Sequence, residues 1–261
     1  MSSSPTLLVL GAGPGLGMSV ARRFGKEGYQ VGLVSRSADR HPGYLDDLRS
    51  ADVRAIAVAA DLRRPGALRR ALDEVQAELG PVDVVYHGPG ADNPSAAPVG
   101  ILETGPDDVR DAAAQIVQPA VELAGLVLPA MRERGSGAIV YVSGLSAVVP
   151  LPFLGPFAPA SAALRTYALT LAEATAPDGV HVGSLVVGGL IERGDIHSLL
   201  TSGTAQSGTG TGTGTGAGAG PMPDLAPPPV PPVLDPDDLA DSVWHLATGT
   251  EREVVANALG M

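Results

Sequence analysis

Residues 7–20, Leu7-Leu8-Val9-Leu10-Gly11-Ala12-Gly13-Pro14-Gly15-Leu16-Gly17-Met18-Ser19-Val20, fix the frame in which the rest of the chain is read. The first four are a continuous apolar run, which suits a strand buried on both faces. Four glycines follow, and then the helical pattern Met18-Ser19-Val20-Ala21-Arg22-Arg23-Phe24. Strand, glycine turn and helix in that order form a dinucleotide-binding pattern. The glycines let the backbone approach a pyrophosphate, and the helix N-terminus offers unpaired N–H groups and a positive dipole end. A glycine-rich turn without a ligand is the other reading of Gly11, Gly13, Gly15, Leu16 and Gly17.

Working outward, TLLVL, YQVGLVS, VRAIAV, VDVVYH, GAIVYVS and VHVGSLVV read as six buried strands. Helices are expected near 16–27, 43–50, 66–79, 107–134 and 158–175, with Pro119 kinking the fourth or marking its start. The alternation predicts an α/β fold of one domain over 1–261: a Rossmann-like, doubly wound parallel sheet covered by helices on both faces. Residues 201–233 break the pattern. TSGTAQSGTGTGTGTGAGAG is low in complexity and PMPDLAPPPVPPVLD is rich in proline. Neither buries enough apolar surface to offset ordering, so 201–233 reads as a flexible insertion. A last helix is expected near 236–247, with acids in its first turn, and EVVANAL reads as an edge strand.

Composition narrows the chemistry. The 261 residues carry a formal charge of -11, which argues against nucleic acid or an anionic membrane as partner. There is no cysteine, so thiol catalysis and Cys-ligated metals are excluded, and no His/acid spacing suggests a metal site. The N-terminus lacks a secretory pattern, and no apolar segment reads as long and uninterrupted enough to cross a bilayer. A cytoplasmic location is the default expectation. Of the 17 basic residues only Lys26 is a lysine.

Cofactor type is read at the end of the second strand. An NAD site places an acid about 20 residues past the glycines, on the ribose 2′-OH. Here the strand runs out in Val34-Ser35-Arg36-Ser37, and no acid appears before Asp39. Arg36 is suited to clamp a 2′-phosphate, with Ser35 and Ser37 adding hydrogen bonds, so the expected cofactor is NADP(H). A solvated strand-end arginine is the other reading.

With Gly11-x-x-x-Gly15-x-Gly17 in this setting, the sequence resembles the short-chain dehydrogenase/reductase family over residues 6–196 and the last helix. Asp61-Leu62 stands where that family has an adenine-contacting Asp. Asp83-Val-Val-Tyr-His87-Gly88-Pro-Gly90 occupies the place of its Asn-Asn-Ala-Gly turn. PAMRERGSGAIVYVSG resembles the segment leading to its catalytic Ser, and Val187-Gly188-Gly189 its Pro-Gly motif. The resemblance implies cofactor contacts at these residues and at Ser161. It also implies a homodimer or homotetramer built on the fourth and fifth helices, which are rich in Ala, Leu and Val.

The resemblance breaks at the chemistry. In the family a Tyr donates the proton, a Lys four residues on lowers its pKa, and an upstream Ser orients the carbonyl. Alignment places Phe157, Ser161 and Gly144 at those positions, and the fourth-helix Asn near Gln115 or Ile116. Ser143 and Ser146 are the nearest hydroxyls and are the candidate catalytic residues. His87 reads as a titratable group or as cofactor packing. Glu192, Asp195 and His197 read as acid/base groups on a lid or as a solvated loop face. Arg165 reads as a source of charge or an interface residue. VVPLPFLGPF is expected to wall the cleft and to favour an apolar small-molecule substrate. The Gly-Thr tract reads as a gate or an inert expansion. Three functions stay open: an atypical oxidoreductase acting on an activated molecule such as an iminium or conjugated system, a cofactor-binding non-catalyst, and a non-redox cyclase or isomerase.

Overall fold

Thr6–Leu10 forms β1, and all five residues are buried because the strand lies in the middle of a sheet covered on both faces. Leu8 and Leu10 enter one apolar cluster and Leu7 and Val9 the other, following the period-two alternation of a strand. The computed structural model describes residues 4–88, 99–206 and 232–257. The first half continues with α1 (Leu16–Gly25), β2 (Gln30–Ser35), α2 (His41–Ser50), β3 (Ala55–Ala59), α3 (Ala67–Leu79) and β4 (Val82–His87). The second contains α4 (Pro106–Ile116), α5 (Gln118–Arg134), β5 (Gly137–Gly144), α6 (Phe157–Thr175) and β6 (Val180–Gly188). Last come β7 (Leu190–Ile191), α7 (Asp195–Gln206), β8 (Val233–Leu234), α8 (Pro236–Thr248) and β9 (Glu253–Asn257).

Seven strands pair in the order β3-β2-β1-β4-β5-β6-β9, and every pairing is parallel. This is the single-domain, Rossmann-like α/β sheet expected from the sequence. One face is covered by α3, α5 and α6 through residues such as Val75, Leu123 and Leu164. The other is covered by α1 and α8 through Val20, Phe24, Leu239 and Val243. Strand order reverses between β1 and β4. Connections leave for opposite faces there, which opens a crevice outside the carboxyl ends of the two strands.

One expectation resolves at Pro119 and two change. Residues 107–134 form two helices, α4 and α5, with the break at Val117. Pro119 is the cause, having no N–H to give and a ring that crowds the preceding turn. Together Pro106–Arg134 is also long and apolar enough, by length and composition, to cross a membrane, contrary to the sequence reading. In this fold Leu123, Ala124, Val127 and Met131 are buried. Finally, the ends of the expected flexible insertion are regular: 201–206 complete α7, and Val233 pairs with Leu190 in a two-stranded parallel sheet, β7-β8. Residues 207–231, the bulk of that insertion, lie outside the described residues. EVVAN forms β9 on the sheet edge beside β6, as expected.

Candidate functional site

The turn after β1 is built by contacts only glycine permits. Gly11 has φ of +88°, and a Cβ there would overlap the Gly88 carbonyl oxygen at the end of β4. The N–H groups of Gly11 and Ala12 both donate to the Val34 carbonyl at 3.0 Å, which locks the turn to β2. Gly13 has nothing within 4 Å of its would-be Cβ, so its backbone is open to the crevice. Beyond it, α1 starts at Gly15 with no side-chain cap. An uncapped helix start beside an open glycine suits a phosphate group.

These residues line a cleft of about 350 Å³ at the switch point. It brings together Gly11, Gly13, Gly15, Leu16, Gly17, Ser35, Arg36, Asp61, Leu62, His87 and Gly88 from the sequence-predicted set. It adds Arg63, Gln115, Pro119, Gly189, Leu190, Ile191 and Gly194 through His197. Ser37, Ser143, Ser146, Ser161, Val187 and Gly188 are not among the lining residues, and Gly90 lies outside the described residues. Arg63 follows Asp61-Leu62 on the β3-to-α3 turn, and its proximity to that predicted pair was the available signal. On the chain returning from β6, Gly189, Asp195 and His197 belong to stretches singled out in the sequence, whereas Leu190, Ile191 and Ile196 carry no comparable signal.

The expected roles of Ser35 and His87 look different in place. The Ser35 hydroxyl donates its proton to the Ser37 carbonyl at 2.9 Å and also meets His41 Nε2 at 2.7 Å. As placed, it has no proton left for a phosphate; Arg36 and Arg63 are the arginines that line the cleft. His87 is buried, and its Nδ1 has no hydrogen-bond partner among the described residues. Burial pushes its pKa down to about 4. The ordinary value is about 6.5, so between the two values the unfolded chain takes up a proton that the folded chain refuses. Stability from the neutral ring is complete above about pH 6.5 and is lost as pH falls through about 4, by up to roughly 3 kcal/mol. Urea unfolding should therefore weaken more between about pH 7 and about pH 4.5 in the wild type than in His87→Gln. An equal loss in both would contradict a buried neutral ring.

The segment after β6 is tied across the cleft. Ile191, Glu192 and Gly194 reach within 3.1–3.2 Å of the would-be Cβ of Gly15, so the strap rests on the glycine turn itself. Leu190 and Glu192 donate backbone N–H groups to Pro232 and Leu234. Arg193, at φ of +64°, pairs with Asp237 at 2.9 Å and Asp235 at 3.4 Å. Asp195 pairs with Arg40 at 2.8 Å, joining the start of α7 to the start of α2. Asp195 and His197 thus do line the cleft, on an anchored strap.

Around the start of α6 the chemistry is apolar. Phe157 is half-buried and packs against the core, and Ser161 is buried one turn later. Ser143 is buried on β5 with its Oγ unpartnered among the described residues; Ser146 is buried in the short turn that follows. Arg165 makes a bidentate pair with Glu253 of β9, both contacts at 2.6 Å, so its charge is directed to the sheet edge. Lys26 caps the far end of α1. Tyr167 packs on Tyr141 inside the fold, with ring centroids 6.0 Å apart. Among the described residues no group of three His or acidic side chains is placed to hold a metal.

Comparison with known proteins agrees with this architecture. The chain is 31% identical over 179 residues to a short chain dehydrogenase of Pseudocercospora fijiensis, covering 67% of this chain and 56% of that one. It is 28% identical over 190 residues to the ketoacyl reductase HetN of Nostoc sp., covering 72% and 64%. It thus spans between about half and two thirds of the length of these relatives. An L-sorbose reductase from Gluconobacter frateurii, solved with NADPH and L-sorbose, superposes with a TM-score of 0.73 at 23% identity, over 98% of this chain and 95% of its own. The acetoin dehydrogenase of Enterobacter cloacae gives 0.76 at 19%, over 98% and 95%. These two show the fold. The short chain dehydrogenase family model matches residues 5–194, from the start of β1 into the strap that closes over the glycine turn, and the chain belongs to that family.

Proposed function

We propose that this chain is an NADP(H)-dependent oxidoreductase that passes hydride to an activated, largely apolar small molecule without donating a proton in the same step. The observation that carries this reading is the start of α6. Phe157 packs there on the core with buried Ser161 beside it, while the only lysine sits at the other end of α1. By alignment these are the places of the family's Tyr and Lys, and Gly144 that of its Ser. The names of relatives support a reductive direction, since one is a ketoacyl reductase and a structural neighbour was solved with NADPH.

A bound nicotinamide dinucleotide supplies the hydride. The chain's own contribution is to hold and orient. The open Gly13 backbone and the uncapped start of α1 suit the pyrophosphate, and Arg36 suits a 2′-phosphate. The strap packs on Gly15 and leaves Gly13 open. VVPLPFLGPF, expected to wall the cleft, supplies none of its lining residues; Val148 and Phe153 are exposed on that segment, and an apolar substrate resting there is part of the proposal. Positioning of this kind contributes on the order of 7–11 kcal/mol in the best cases, enough for an electrophile that needs no proton. Replacing Arg36 with Ala should weaken NADPH binding about 10- to 100-fold and leave NADH binding unchanged, because only the phosphate meets the guanidinium. Fluorescence titration checks this, and an equal change for both nucleotides would contradict the assignment.

The burial of Ser143 and Ser146 outside the cleft lining favours a second reading, a cofactor-binding non-catalyst. NADPH oxidation with any substrate separates the two. In either case the proposed assembly is a homodimer or homotetramer through the α4–α6 face, where Val109 and Val121 are exposed.

A further inference from the structure

Among the described residues two carboxylates line the cleft, Asp61 and Asp195. Asp61 is neutralised within the wall, since its oxygens accept Arg63 Nε at 2.9 Å and Nη2 at 3.1 Å, and Arg63 is a lining residue too. Asp195 is different. Its partner is Arg40, whose Nη1 meets its two oxygens at 2.8 and 3.0 Å. Arg40 itself does not line the cleft. The Asp195 carboxylate is thus the link between the cleft and a guanidinium just outside it.

That guanidinium belongs to the loop that leaves β2. Ser35 Oγ meets His41 Nε2 at 2.7 Å, and the Ala38 carbonyl accepts the His41 N–H at 3.0 Å, so residues 35–41 close on themselves. Arg36 on the cleft wall and Arg40 outside it therefore share one compact loop. The Arg40 and Asp195 side chains are 56% and 48% exposed, so water competes for both and the pair is easily parted. A phosphate monoester brings nearly two charges and three acceptor oxygens, where a carboxylate brings one charge and two oxygens. Such a group entering beside Arg36 is repelled by Asp195 and attracted by Arg40. We propose that Arg40 exchanges Asp195 for the 2′-phosphate of the dinucleotide, with Asp195 as a built-in competitor that tempers the preference for the phosphorylated cofactor. The inference rests on the dinucleotide reading above and adds to it a second cation, held in reserve, and the carboxylate that holds it.

The test is a fluorescence titration of the full chain with NADPH and with NADH. Asp195→Asn keeps the size of the side chain and removes its charge. It should tighten NADPH about three- to fivefold and leave NADH within about twofold of the wild type. Arg40→Ala removes the reserve cation and should weaken NADPH about three- to tenfold, again without moving NADH. In the Arg40→Ala background Asp195→Asn should lose most of its effect, because no guanidinium is left to release. A role confined to holding the loop or the strap in shape would move both nucleotides together. Thermal melts check that each variant is folded. Exchange is ruled out if Asp195→Asn fails to tighten NADPH, if Arg40→Ala fails to weaken it, or if NADH moves with NADPH in either variant. It is also ruled out if the Asp195→Asn effect is as large without Arg40 as with it, which would leave Asp195 acting by plain repulsion. Wild type that binds neither nucleotide would overturn the dinucleotide reading itself, a separate result.

Discussion

Gly11→Ala is expected to abolish NADPH binding and to destabilise the fold by about 3 kcal/mol or more. Two effects combine. The φ of +88° is costly for any residue with a Cβ, and the new methyl would overlap the Gly88 carbonyl. Neither partner can give way cheaply. Gly88 N–H is held by the Leu10 carbonyl at 2.9 Å, and Gly11 N–H by Val34 at 3.0 Å, so relief requires parting the ends of β1, β2 and β4. Gly13→Ala supplies the contrast. With nothing within 4 Å of its Cβ and no positive φ, it should change stability by less than about 0.5 kcal/mol while obstructing the approach of a phosphate. Urea unfolding and nucleotide titration of the two variants side by side check both statements. If Gly11→Ala melts and binds like the wild type, the account of the turn is wrong.

The second large effect concerns the reaction. A ketone and an iminium of matched shape should differ about 10²- to 10⁴-fold in the rate of NADPH oxidation, in favour of the iminium, because that is the range a positioned general acid contributes and only the ketone needs one. Among the described residues, no group near the start of α6 makes up the difference. Phe157 has no proton to give, Ser161 and Ser143 are buried, and the Arg165 charge is taken by Glu253. His87 does line the cleft, but a ring pushed down to about 4 is unprotonated near neutrality. Steady-state rates with the two substrates at equal concentration are the measurement, and equal rates would mean that a proton donor is present.

Much of this was legible in residues 7–20 and in the strands. A run such as Leu7–Leu10, apolar at every position, has few placements other than the centre of a two-sided sheet, and the glycines after it fix the turn. The cleft residues on the first half of the sheet were legible for the same reason, since each sits a fixed step beyond a readable strand. What escaped was long-range. The strap is held by Arg40–Asp195 and Arg193–Asp237, pairs 155 and 44 residues apart, and by a β7-β8 pairing across the Gly/Pro-rich stretch. No local pattern encodes such partners. Ser35 shows the same limit on a small scale: its type suits a phosphate, but the turn into α2 claims its proton. The helix break at Val117 followed from Pro119, where a local rule was sufficient.

The claim beneath all of this is that the cleft grips a phosphorylated nicotinamide dinucleotide through the uncapped start of α1 and Arg36. Calorimetric titration of the purified chain with NADPH and NADH in parallel tests it directly. The expected result is saturable binding of NADPH at least about tenfold tighter than that of NADH. No binding of NADPH, or equal affinity for both nucleotides, would contradict it.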